Sequence, residues 1–450
     1  QWMKILSHYG FGGILADDMG LGKTIQAIAL FLSEQGPDKR FLVVTPTSLL
    51  YNWENEIHRF APALTTQLVA GQAEKRLEQI QTPADIYITT YDTLKRDIEN
   101  YAGLSFETVI ADEAQNMKNP MTQNARAVKS VKAKNRFALT GTPIENSLTE
   151  LWSIFDFIMP GYLYSAHKFT REYESPIVKA NNMEQAERLR KQIAPFLLRR
   201  VKADVLKELP EKVETNLYAE LLPEQRKLYA AHLLKARGDL AKVSGNAFAQ
   251  DRMKILAELT QLRQICCHPA LFIEGYQHGS GKLALAMETI QRTLESGHRS
   301  LLFSQFTSML AILKTELDQT NYTYFYLDGA TPAKERMEMA EQFNQGERDL
   351  FLISLKAGGT GLNLTGADVV IHYDPWWNPS VMDQASDRAH RFGQSRVVQV
   401  FNLVAKDTIE QKILALHDKK KDLVDTVISE NGGHFINRMT ETEIRELFYS

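Results

Sequence analysis

ILADDMGLGKTIQ, residues 14–26, is the stretch that decides the fold. The template G-x-x-x-x-G-K-[ST] is met at Gly22, Lys23 and Thr24 but not at its first position, where Asp17 stands in place of glycine. Ile14 to Ala16 read as the end of a strand and Thr24 onward as a helix. Asp17, Asp18, Met19, Gly20, Leu21, Gly22 and Lys23 form the turn between them. Backbone N–H groups gathered in such a turn, at a helix N-terminus, make a cradle for an anion. Lys23 is then placed for the β- and γ-phosphates of a nucleotide, and the Thr24 hydroxyl for Mg2+. The bland reading is a glycine-rich turn with a surface lysine. Gly281-Lys282 is such a decoy, with Tyr276 where the template needs glycine and Leu283 where it needs a hydroxyl.

Further along, VIADEAQ at 109–115 is an apolar strand ending in adjacent carboxylates. Acidic pairs at strand ends are commonly caps or solvated. Downstream of a phosphate loop, on a strand of the same sheet, Asp112 is placed to hold magnesium and Glu113 to polarise the attacking water. LTGTPIEN at 139–146, a hydroxyl-rich strand end with a glycine turn, reads as a sensor of the γ-phosphate or as an ordinary turn.

Around these motifs the chain alternates. GGILAD, FLVVTP, DIYITT, TVIADE and RFALTG are short apolar runs separated by helix-length segments between residues 13 and 142. RSLLFSQF, YTYFYLDG, DLFLISL, DVVIHYD and VVQVFNL repeat the scheme between about 299 and 403. Runs buried on both faces predict parallel sheets covered by helices, so the fold class is α/β with two similar lobes. Residues 160–280 are helix-forming, with apolar positions at helical spacing and little Gly or Ser, which predicts helical insertions and not a flexible linker.

The chain's 450 residues exceed what one hydrophobic core normally supports, and the net charge of −3 argues against a surface coated in positive charge. Local basic stretches remain at LLRRVKADVLK, 197–207, and in the lysine clusters near 406–421. No apolar run is long enough to span a bilayer, and the opening QWMKILSHYGFGG lacks the pattern of a secretory signal, so no membrane role and an intracellular setting are expected. Cys266 and Cys267 are neighbours without a second ligand pair at usable spacing; they read as buried thiols, and zinc is set aside.

With these residues in place, the chain resembles the Swi/Snf-type family of superfamily-two helicase-like ATPases, the DNA translocases. The resemblance runs through GGILADDMGLGKTIQ, VVTPTSLLYNW, ITTYDTL, ADEAQNMKNP, ALTGTPIENSLTELW, FLLRRVKADVLKELP, LRQICCHP, LLFSQFTSML, YLDGAT, SLKAGGTGLNLTGADVVIHYDPWWNP and QASDRAHRFGQ. The family's version of the loop is DxMGLGKT, so Asp17 is a family mark. ENGGHFINRMTETEIRELF near the end is similar to the short bacterial members. The resemblance implies two RecA-like lobes of the P-loop NTPase type with ATP and Mg2+ at their interface. It also implies hydrolysis stimulated by double-stranded DNA and movement along the duplex without full strand separation. Residues 1–222 would be the first lobe, with a helical protrusion at about 160–198. Residues 223–278 would be a helical insertion, 279–412 the second lobe, and 413–450 a C-terminal helical brace. A family segment of the type LRxYQ that contacts adenine precedes the first motif; the chain begins inside that region, at Gln1-Trp2-Met3, and is expected to be an excised motor of a longer protein.

The resemblance also assigns residues. Arg388 and Arg391, three apart, are expected to act as arginine fingers on the γ-phosphate, with Gln384 orienting the segment and Gly361 joining the nucleotide-binding set. The bland reading of the pair is a surface bridge to Asp383 or Asp387. Thr45, Pro46, Thr47, Ser48, Thr89, Thr90 and Tyr91 match the first-lobe DNA contacts. Ser304, Gln305, Phe306, Lys356, Gly358, Gly359, Thr360 and Gly361 match those of the second, where glycines let phosphates approach. Trp377 matches a duplex-touching tryptophan, and its bland reading is core packing. Double-stranded DNA is the expected partner, alongside a protein cargo or regulator, for a monomer working in the cytoplasm on the nucleoid or in a nucleus. The alternatives are a strand-separating or RNA-acting helicase, and an inactive DNA-binding scaffold.

Overall fold

The apolar runs of the first half form one parallel sheet. A computed structural model describes residues 1–141, 147–180, 182–206, 208–241, 246–358, 362–377, 379–415 and 447–449. Its first sheet has strands β1 (Gly13–Leu15), β2 (Phe41–Thr45), β3 (Thr66–Val69), β4 (Ile86–Thr90), β5 (Phe106–Asp112), β6 (Ala133–Leu139) and β7 (Leu197–Leu198), in the order β3-β4-β2-β5-β6-β1-β7. All pairings are parallel. Every residue of β2 and β4 is buried, as a strand covered on both faces requires. The helix Lys23–Glu34 buries Ala27, Ile28, Leu30 and Phe31, a stripe at helical spacing. Phe31 lies 4.7 Å from Phe41 between ring centroids, which fixes the helix against the sheet.

The second sheet contains β8 (Lys212–Ala219), β9 (Ser300–Ser304), β10 (Tyr324–Leu327), β11 (Leu350–Ser354), β12 (Val369–His372) and β13 (Val398–Ala405), in the order β10-β11-β9-β12-β13-β8. It too is parallel throughout. Strand β8 moves the boundary between lobes. It pairs with β13 from Lys212↔Val398 to Ala219↔Ala405, so residues 212–219 belong to the second lobe, and the chain divides between Glu208 and Leu209 instead of after 222. Most of its residues are exposed, because an edge strand is covered on one side only, and KVETNLYA therefore lacks the apolar run that marks the inner strands.

Helices Ala166–Phe169, Ser175–Ala180 and Met183–Ile193 fall within residues 160–198, and Pro223–Ala241 and Asn246–Cys267 within 223–278. The brace expected at 413–450 lies largely outside the described residues; Leu447 and Phe448 pack with Ile409 and Ile413. Cys266 and Cys267 are buried free thiols, pushed up by desolvation. The decoy Gly281-Lys282 opens an ordinary helix capped by Ser280, and Lys282 is fully buried in an ion pair with Glu410. No helix among the described residues is long and apolar enough to cross a membrane.

Candidate functional site

Three neighbouring strands of the first sheet bring the nucleotide motifs together. Leu15 on β1 stands beside Leu139 on β6, which stands beside Asp112 on β5, so the phosphate loop, Thr140 and the acidic pair all leave the same carboxyl edge. Parallel α/β sheets place ligands at this edge. The loop turns on Gly20 (φ +87°) and Gly22 (φ +76°), left-handed values that favour glycine. A Cβ at Gly22 would meet nothing within 4 Å, so backbone angle and not space requires glycine there. No side chain caps the helix that follows, which leaves its first N–H groups available to an anion. Lys23 Nζ donates to the Asp17 carbonyl at 2.7 Å and to the Asp18 carbonyl at 3.4 Å, folded back on the loop that it completes. Thr24 is half-buried on the first turn.

Asp112 is held from the side of the sheet. Its Oδ2 accepts from Trp53 Nε1 at 2.8 Å and from Thr45 Oγ1 at 3.2 Å, and its Oδ1 from the Glu113 backbone N–H at 2.9 Å. Tyr91 donates its hydroxyl to the Asp112 carbonyl at 2.8 Å. Burial, then the charge of Glu113, pushes the Asp112 carboxyl up to about 7, against the opposing pull of the Trp53 hydrogen bond and the Lys23 charge. Asp112 at the end of β5 and Thr24 on the first turn after the loop are oxygen donors of the kind that would suit Mg2+. Glu113 sits at φ +48°, a left-handed conformation uncommon away from glycine, and such outliers gather at functional sites. Gln115 donates to Glu113 Oε2 at 2.8 Å, and Thr140 donates to Gln115 at 3.1 Å, linking the third motif to the acid pair through side chains. Residues 142–146 of that motif lie outside the described residues.

The threonines expected to touch DNA are mostly supports. Thr45, Thr89, Thr90 and Tyr91 are buried: Thr45 holds Asp112, Thr89 donates to the Val69 carbonyl, and Thr90 caps the helix Tyr91–Asp97. Within VVTPTS, Thr47 is exposed and Pro46 and Ser48 are half-buried. Strands covered on both faces bury polar and apolar positions alike, which is why hydroxyls alone do not reveal who faces solvent.

In the second lobe, Ser304 is also buried and donates to Asp374, and the Gln305 backbone N–H points at the same carboxylate. Arg263, from the inserted helix and 1 % exposed, reaches Gln305 Oε1 at 3.0 Å and the Pro375 carbonyl. Its guanidinium carbon lies 4.8 Å from the Trp377 ring centroid, so half-buried Trp377 packs on Arg263 and on the apolar core of the insertion. Phe306 packs against the second-lobe core. Lys356 and Gly358 lie on the helix Leu355–Gly358, and Gly359, Thr360 and Gly361 fall outside the described residues.

Gln384 rides half-buried on the helix Pro379–Ser386, and the two arginines follow it. Arg388 Nη1 and Arg391 Nη1 both donate to the Leu362 carbonyl, at 3.5 and 3.3 Å, so their guanidinium groups converge. Arg388 is 2 % exposed while Arg391 is half-buried, so the pair is unequal in access. Asp383 of the same helix lies 3.5 Å from Lys212. This helix is tied to β12 by His372, whose Nε2 lies 2.8 Å from Ser386 Oγ.

Burial pushes the His372 imidazole down to about 4. A histidine lowered in this way contributes stability that is complete above its unfolded pKa of about 6.5 and is lost as pH falls through about 4. The second lobe is therefore expected to lose about 3 kcal/mol across that window. Chemical denaturation followed against pH should show the loss, and His372→Gln should flatten it.

Trp53, Arg200 and Arg263 were not singled out from sequence, since their roles depend on partners remote in the chain; Gln26 and Gln115 were visible only as members of the loop and acid-pair motifs. Trp53 was visible only as the end of VVTPTSLLYNW.

Known proteins resemble the chain over its whole length. Residues 1–271 match the SNF2-related domain and 281–393 the helicase conserved C-terminal domain. Bacillus subtilis YwqA, whose name describes an ATP-dependent helicase/translocase, is 40 % identical over all of this chain and half of its own length. The human SWI/SNF-related, matrix-associated, actin-dependent regulator of chromatin subfamily A member 1 is 36 % identical over 99 % of this chain and 44 % of its own. A solved Sulfolobus solfataricus SWI2/SNF2 ATPase core in complex with dsDNA is 38 % identical, covering 96 % of this chain and 91 % of that one, with a TM-score of 0.46. The chain spans about half the length of the curated relatives that it matches. On the strength of the two domain matches and the ordered motifs, the chain belongs to the Swi/Snf-type family of helicase-like ATPases.

Proposed function

We propose that this chain is the motor core of an ATP-dependent translocase that hydrolyses ATP and tracks along double-stranded DNA without separating its strands. The observation that carries the ATP half is that the Lys23 loop and the Asp112-Glu113 pair leave the same carboxyl edge of one sheet, on strands β1 and β5 that flank β6. In this reading Lys23 exchanges the carbonyls of Asp17 and Asp18 for β- and γ-phosphate oxygens. The loop N–H groups of Met19, Gly20, Gly22, Lys23 and Thr24 receive the remaining charge. Thr24 and Asp112 would hold Mg2+, which would neutralise phosphate charge. Glu113, steadied by Gln115, takes the proton of the attacking water. Arg388 and Arg391 offset charge developing on the same triphosphate, with Gln384 orienting their segment and Gly361 completing the nucleotide set.

Movement follows if ATP favours one arrangement of the lobes over another, because only that difference in affinity can do work. Contacts with DNA in a motor of this kind go to the backbone, as a track of any sequence demands. Thr47, Pro46, Ser48, Gln305, Lys356, Trp377 and the glycines 358, 359 and 361 with Thr360 supply them, while Thr45, Thr89, Thr90, Tyr91 and Ser304 support those surfaces from beneath. A relative whose name describes a regulator of chromatin favours this track over RNA. The setting is wherever the duplex lies, the bacterial nucleoid or a nucleus, and the cargo is a protein bound to it. The test is movement without unwinding: ATP-driven release of a triplex third strand from blunt duplex, while a forked duplex stays paired. ATP-driven strand separation would favour the helicase reading instead.

A further inference from the structure

The phosphate loop departs from its template at Asp17, and the structure gives that departure a partner. Asp17 is fully buried. Its Oδ1 accepts from the Arg200 backbone N–H at 3.1 Å and from Arg200 Nε at 3.0 Å; its Oδ2 accepts from Arg200 Nη2 and from Gln26 Nε2 at 3.1 Å. Arg200 Nη2 also donates to Gln26 Oε1 at 2.8 Å, closing a three-residue network. Two-point pairing of this kind fixes orientation as well as distance, which lysine cannot do.

Backbone bonds reinforce the grip. The Ala16 N–H donates to the Leu198 carbonyl at 2.7 Å and the Asp18 N–H to the Arg200 carbonyl at 3.0 Å. The Lys202 N–H donates to Asp18 Oδ2 at 3.0 Å. The same Asp17 whose carboxylate is held by Arg200 offers its carbonyl to Lys23. A glycine at this position would present nothing for Arg200 to hold. The basic stretch 197–207 thus places one of its arginines on the nucleotide loop.

We propose that Arg200 is a positioning residue of the phosphate loop, acting through Asp17 to set where Lys23 and the loop N–H groups meet the triphosphate. The inference rests on the reading of this loop as an ATP site. Arg200 has 40 % side-chain exposure, so its pairing is partly screened and its effect belongs to loop geometry more than to global stability. Misplacement of a binding group by about 1 Å can cost up to about a hundredfold in rate.

The experiment measures steady-state ATP hydrolysis by the full chain at saturating duplex for Arg200→Gln, Arg200→Lys, Asp17→Asn and the Asp17→Asn/Arg200→Gln double variant, with melting temperatures alongside. The expected result is a rise in KM for ATP of about tenfold in Arg200→Gln with near-native melting, partial recovery in Arg200→Lys, and a double variant no worse than the single ones. A KM within about twofold of the parent, or fully multiplicative losses in the double variant, would overturn it. Should Arg200→Gln not fold, Arg200→Lys and Asp17→Asn with their double carry the same comparison. Lys23→Ala run in parallel separates the two levels: if it abolishes turnover while the Arg200 variants behave as parent, the clamp is wrong and the ATP site stands. If Lys23→Ala also turns over normally, the ATP reading falls and the clamp falls with it.

Discussion

Replacement of Lys23 by alanine is expected to abolish duplex-stimulated ATP hydrolysis, by at least about a hundredfold to a thousandfold, while affinity for duplex DNA stays within about threefold. The ammonium lies within the turn at the start of the Lys23–Glu34 helix, where its partners are the carbonyls of Asp17 and Asp18. Its charge is the mobile part of a cradle otherwise made of fixed backbone dipoles, so alanine removes positive charge at the spot where the triphosphate concentrates negative charge. The side chain is half-buried and the Gly22 backbone already supplies the turn, so the fold should survive. Phosphate-release kinetics and fluorescence anisotropy on labelled duplex check the two halves separately. Unchanged turnover would remove Lys23, and with it this loop, from the chemistry.

The second large effect is expected at the arginine pair. Arg391→Ala should lower turnover by about 10³ or more and leave binding of a fluorescent ATP analogue within a fewfold of the parent, because a finger stabilises the transition state and not the ground state. Arg391 is the cleaner probe of the two. Arg388 is 2 % exposed, and truncating so buried a guanidinium exposes the second lobe to a packing and desolvation loss. Arg388→Lys keeps the charge and much of the volume, and is expected to lose turnover without a matching loss of melting temperature. Both side chains meet at the Leu362 carbonyl, so their effects should not add. An Arg391→Ala chain that hydrolyses ATP at the parental rate would assign the pair to structure alone.

Much of the fold was legible because parallel strands covered on both faces leave unbroken apolar runs. FLVVT, IYITT and SLLFS announce themselves, and each is buried throughout. The strands that were missed lack that signature: TQLV at 66–69 is mostly half-buried at a sheet edge, Leu197–Leu198 is two residues long, and KVETNLYA at 212–219 is mostly exposed. The last of these shifted the domain boundary. At the candidate site, the residues proposed for catalysis were readable from spacing, since a phosphate loop and an acid pair each need neighbours in sequence. Their supports were not. Trp53 and Thr45 reach Asp112 across 59 and 67 positions, and Arg200 reaches Asp17 across 183. Hydrogen bonds over such separations are set by strand order, which no local pattern records. Thr45, Thr89, Thr90 and Tyr91 carry the converse lesson: a polar residue at a strand end reads as a surface contact, yet here each finds a buried partner.

Conversion of ATP hydrolysis into movement along duplex DNA is the central claim, and third-strand displacement from a blunt duplex tests it most directly. A labelled triplex-forming strand reports passage of the motor without asking the duplex to open. The account predicts release that requires ATP, disappears in Lys23→Ala, and leaves the two strands of the duplex paired. Brisk duplex-stimulated ATP hydrolysis with no third-strand release would contradict it.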